Sequence, residues 1–112
     1  MEKNYKKELQ LKGNSVKRLI KEYQSYVKEV DGLKGKLEQM KEENTDEYTV
    51  EKFTENIKES EGARDQVKLK LEKFTEELSE LISEVTDEEV KNLEEYKKAV
   101  EFLDTAAAEL KN

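Results

Sequence analysis

Apolar residues in this 112-residue chain step by three and four with almost no skipped position, and that spacing restricts the chain to long amphipathic helices packed along a narrow seam. The first segment reads Val16, Leu19, Tyr23, Tyr26, Val30, Leu33, Leu37 and Met40, with Ile20 and Val27 beside it. The phase extends backwards through Lys12 and Leu9 to Tyr5. A first helix over about 5–41, running through Gly13 and Asn14, is therefore expected, a start at Ser15 being the alternative. Gly13 inside a helix costs only about 1 kcal/mol. Proline is absent, glycine occurs 4 times, and hydrophobic residues make up 34% against 44% charged, so the core must be a thin stripe.

Lys41 to Asp46 is polar and turn-prone and forms the first connection. A second helix is expected over about 50–84, with Thr49 as its N-cap and Tyr48 and Phe53 as a hydrophobic staple. Its seam is Val50, Phe53, Ile57, Ser60, Arg64, Val67, Leu71, Phe74, Leu78, Leu81 and Val85. The polar members Ser60 and Arg64 bracket Gly62, where helix continuity is weakest, a bend or local opening and a straighter rod being the alternatives. Thr86-Asp87-Glu88-Glu89 reads as a capping box opening a third helix over about 88–110. Its stripe is Leu93, Tyr96, Val100, Leu103, Ala107 and Leu110, bordered by Val90, Ala99, Phe102 and Ala106. Short connections between long helices predict an all-α fold: one elongated, antiparallel, up-down-up, coiled-coil-like three-helix bundle spanning residues 1–112.

The chemistry available is narrow. With His 0 and Cys 0 there is no imidazole base, no thiolate and no Cys/His zinc set. A hydroxyl nucleophile would need a Ser/Lys pair, which a thin rod gives no enclosed pocket to activate. Paired glutamates such as Glu42-Glu43, Glu76-Glu77 and Glu88-Glu89 follow from the acidic composition, and neither a phosphate loop nor a calcium loop can be traced. No catalysis, metal or cofactor is expected. The polar start and the lack of a long apolar run predict no membrane span and a cytoplasmic protein.

Charge is unevenly placed. Residues 1–41 hold 11 basic and 6 acidic side chains, a net of +5, and residues 42–112 hold 10 and 22, a net of −12. A basic first helix packs against acidic ones, either for internal complementarity or to leave a basic sector for an acidic partner. A net charge of −7 disfavours nucleic acid.

Three stretches resemble a known family. Leu9-Gln10-Leu11-Lys12 with Val16-Lys17-Arg18-Leu19-Ile20-Lys21-Glu22, then Tyr48-Thr49-Val50-Glu51-Lys52, then Glu94-Glu95-Tyr96-Lys97-Lys98-Ala99 with Leu103-Asp104 are similar, in order, to tubulin-binding cofactor A. Where family members carry a proline-containing stretch in the second helix, this chain has Ser60-Glu61-Gly62-Ala63-Arg64-Asp65. The resemblance implies a cytoplasmic, cytoskeleton-associated chaperone that holds quasi-native β-tubulin for assembly of the αβ heterodimer, with other tubulin-folding cofactors as further partners. The chain would act as a monomer or weak homodimer. Because tubulin is acidic, Lys17, Arg18 and Lys21 are the first candidate contacts. Tyr48, Glu94, Glu95, Tyr96 and Lys97 are the others; for Tyr48 the staple, and for Tyr96 the seam, is the competing structural role. A spectrin-like spacer or self-associating helical module is the alternative function.

Overall fold

A computed structural model describes residues 4–111, so residues 1–3 and 112 of the expected domain lie outside the described residues. Four helices follow in order: α1 (Tyr5–Glu42), α2 (Glu47–Glu84), α3 (Glu88–Lys91) and α4 (Glu94–Leu110). Helical rise makes α1 and α2 each about 57 Å long and α4 about 26 Å, and the molecule is a rod of 65 × 21 × 18 Å. Lys12 meets Glu77 and Lys34 meets Glu61, so α1 and α2 run antiparallel. Gly13 faces Ala99 and Gln24 Nε2 donates to Glu109 Oε1 at 2.8 Å, so α4 runs parallel to α1 along its first half.

The long version of α1 is the one that forms. Asn4 caps it, its side-chain oxygen accepting from the Lys7 N–H at 3.1 Å. Every seam position read for α1 is buried or half-buried, and so is every one for α2. Leu9, Val16, Val30, Leu71 and Leu78 are sealed from solvent, each a side chain whose burial stabilises by roughly 1.5–3 kcal/mol. Helix α2 continues without interruption through Gly62, whose surroundings are open, so the glycine marks no break in the helix.

Three local expectations are corrected. Helix α2 begins at Glu47, capped by Asp46, whose carboxylate accepts from the Thr49 N–H at 3.0 Å and the Thr49 hydroxyl at 2.7 Å. One acid satisfies two donors, so the helix starts at Glu47, two residues before Thr49. Those bonds hold the Asp46 carboxyl below its ordinary value of 3.8, the side-chain bond from Thr49 contributing most. Second, α3 is capped by Asp87, which accepts from the Glu89 N–H at 2.9 Å, in place of Thr86.

Third, the segment expected as one helix over 88–110 is two. Leu93 is extended (φ −68°, ψ 144°), and the Lys97 N–H bonds to the Leu93 carbonyl to start a new ladder. Leu93 supplies no side-chain cap; Glu94 and Glu95 place negative charge at the start of α4 instead. The buried stripe of α4 is also rotated from the one expected. Ala99 and Ala106, expected at its border, are fully buried, while Ala107 is exposed. Buried Gly13 on α1 faces Ala99 and the Phe102 ring on α4, and Ala99 and Ala106 join the core cluster, with Tyr96, Phe102 and Leu103 packed against that cluster.

Beyond Glu109, which lies beside Gln24, the α1–α2 hairpin continues without α4. In that arm, from residue 31 to the turn and back to residue 64, Ile57 alone among the described residues is fully buried. Arg64 and Glu61, one turn apart on α2, and Lys34 on α1 form a charged cluster there, with Lys34 and Glu61 at 3.5 Å and Arg64 and Glu61 at 3.9 Å.

Candidate protein-binding surfaces

The seam that buries one side of α1 sets its opposite side. Lys17, Arg18 and Lys21 fall between Val16, Leu19, Ile20 and Tyr23, all buried, and so must point outward; all three are exposed. None of them forms an ion pair among the described residues. Two ion pairs there cross between helices, Lys12 with Glu77 at 3.9 Å and Lys34 with Glu61 at 3.5 Å. Internal complementarity therefore leaves the Lys17–Lys21 sector uncompensated. The Lys17 ammonium lies 5.7 Å from the centre of the Phe102 ring, an arrangement worth about 0.5–1 kcal/mol at an exposed site.

Phe102 connects this sector to the start of α4. It lines a small cleft of about 200 Å³ together with Gly13, Glu94, Glu95 and Lys98. Lys98 reaches back one turn to Glu94 at 3.4 Å. Phe102 thus touches Lys17 and also lines the cleft that Glu94 and Glu95 border. Glu94 and Lys97 are exposed on α4, whereas Glu95 is half-buried. Tyr96 is half-buried and packs against the core, which gives its ring a structural role.

Tyr48 stands apart. With Asp46 as the cap it lies in the first turn of α2 and cannot be a staple residue; it is 69% exposed, with the Lys52 ammonium 5.7 Å from its ring centre. It sits at the hairpin tip, about 25 residues of α1 and so roughly 38 Å from Lys17. Sequence reasoning missed Phe102 as a surface group, and it missed Leu11 and Leu69, 58% and 66% exposed. Both leucines lie off the heptad phase, the signal that could have marked them.

Among the described residues no helix is long and apolar enough to cross a membrane. What fold and surface define together is a small, elongated, all-helical protein with strongly charged outer faces. Residues 4–103 match the family Tubulin binding cofactor A, and the chain belongs to that family. Among curated relatives, Tubulin-specific chaperone A of Gallus gallus is 32% identical and that of Bos taurus 31% identical, each over 103 residues covering 92% of this chain and 94% of the relative. The protein of the same name from Rattus norvegicus is 30% identical over the same shares. No solved structure matches.

Proposed function

We propose that this chain is a tubulin-folding chaperone that holds β-tubulin on its helix faces, as a single domain over residues 1–112 working in the cytoplasm. The observation that carries the reading is membership of the tubulin binding cofactor A family across nearly the whole chain. The rod is read as an up-down-up stack of three long helices, α1, α2 and α4, with α3 as the turn that joins the last two. Other tubulin-folding cofactors would be its further partners.

The basic sector of Lys17, Arg18 and Lys21 is the face assigned to the client. Three exposed cations that form no ion pair among the described residues attract an acidic surface and lose no salt bridge with those residues when it docks. Glu94 and Lys97, both exposed on α4, and Tyr48 at the hairpin tip are the further contacts of this reading. Capture of this kind needs matched surfaces and no bond chemistry.

The test is binding of purified β-tubulin to wild type and to K17E/R18E, with circular dichroism as the folding control. The double variant should bind several-fold more weakly at low salt with an unchanged spectrum. Undiminished binding by the folded variant would reject this face. Failure of the wild type to bind β-tubulin would reject the function.

A further inference from the structure

A second groove runs between α2 and α4, lined in part by acidic residues and in part by apolar ones. It is an open cleft of about 690 Å³ with Glu72, Glu76 and Glu80 on the α2 bank and Leu103, Ala107 and Leu110 on the α4 bank. Glutamates four residues apart on a helix stand about 6 Å apart along its axis, so the three carboxylates form a row with one-turn spacing. None of them, nor Asp104 on the opposite bank, forms an ion pair among the described residues; Lys68, one turn before Glu72, makes none with it. Leu103 and Leu110 are half-buried and Ala107 is exposed, so the α4 bank presents apolar surface between the carboxylates.

An occupant of this groove must bring an apolar stripe for Leu103, Ala107 and Leu110 and cations repeating at one turn for the glutamate row. An amphipathic helix with Lys or Arg along one edge meets both requirements, laying its apolar side in the groove and its basic edge on α2. We infer that the α2–α4 groove docks a basic amphipathic helix of a second protein, a partner of opposite charge to the one attracted by the Lys17 sector. An acidic client is turned away from the groove by four carboxylates, so the two faces select different partners.

The probe is a synthetic 18-residue helical peptide with leucines on one face and lysines at positions i, i+4 and i+8 along one edge, against a twin carrying glutamates there. Binding is measured by fluorescence anisotropy and by analytical ultracentrifugation. Wild type should bind the lysine peptide at least tenfold more tightly than its twin, and the preference should shrink as salt rises. E76K/E80K should reverse the preference, and A107E should weaken binding of both peptides; these positions are exposed, and thermal melting confirms the fold of each variant. Both groove variants should keep β-tubulin capture, and K17E/R18E should keep peptide binding, so the two faces fail or succeed separately. The inference is overturned if the lysine peptide does not bind, if it binds E76K/E80K as well as wild type, or if those substitutions abolish only self-association of the chain.

Discussion

Replacing Gly13 with alanine tests the account of how α4 meets α1. A Cβ built at Gly13 would lie 3.5 Å from Phe102 Cδ2 and 3.8 Å from both Cα and Cβ of Ala99, which is ordinary contact with no overlap. Two contributions then favour the variant. Alanine in a helix interior is better than glycine by about 0.8–1.0 kcal/mol, and one more buried methyl adds up to about 0.8 kcal/mol. The variant should therefore be more stable by about 1–2 kcal/mol, which raises Tm by roughly 4–16 °C in a chain of this size. Gly62 supplies the internal reference, because it is exposed and nothing lies within 4 Å of its added Cβ. G62A should gain the helix contribution alone, about 1 kcal/mol. Urea titrations and thermal melts followed by circular dichroism measure both. A G13A protein less stable than wild type would refute the packing distance argued for α1 and α4; equal gains at both sites would show that the methyl finds no contact.

Leu71→Ala, at a side chain fully sealed in the core where all three long helices converge, should cost about 2–5 kcal/mol in the same titrations. Leu69→Ala, two residues earlier but 66% exposed, should change stability by no more than about 0.5 kcal/mol. Asp46→Ala should lower the melting temperature at pH 7 and fray the start of α2. Because the folded carboxyl titrates below its ordinary value of 3.8, its contribution is complete above that value and is lost as pH falls through the lowered one. The gap in melting temperature between variant and wild type should accordingly narrow on acidification from pH 5 to pH 2.

The long helices were legible because their seams are built from large side chains in strict phase. Every position from Val16 to Met40 and from Val50 to Val85 that the spacing selects is at least half-buried. The start of α2 was misplaced because Asp46 and Thr49 are both good caps, and only geometry shows the acid accepting two bonds from the threonine. In α4 the buried positions are alanines, whose weak hydropathy yields to Val100 and Leu103 in any stripe drawn from sequence. Gly13, which faces Ala99 from α1, lies 86 residues away from it in the sequence. Neither glycine nor proline marks the break at Leu93. Outward placement of Lys17, Arg18 and Lys21 followed directly from the phase of α1. The contact of Lys17 with Phe102, beside the cleft that Glu94 lines, and the distance of Tyr48 from it depend on which helix lies beside which.

The short reach of α4 divides the molecule mechanically. Next to α4 each helix has two neighbours, and prying any one away exposes the interior shared by all. Past Gln24 the hairpin is cantilevered, two helices held by one seam with few sealed side chains and with the Lys34, Glu61 and Arg64 cluster bridging them. Amide exchange should accordingly be slowest around Leu71 and Leu78 and quicken toward Asn44, where the turn adopts a positive φ of 58°. A clamp with one stiff end and one compliant end can keep its shape while its free tip adjusts to a bulky guest.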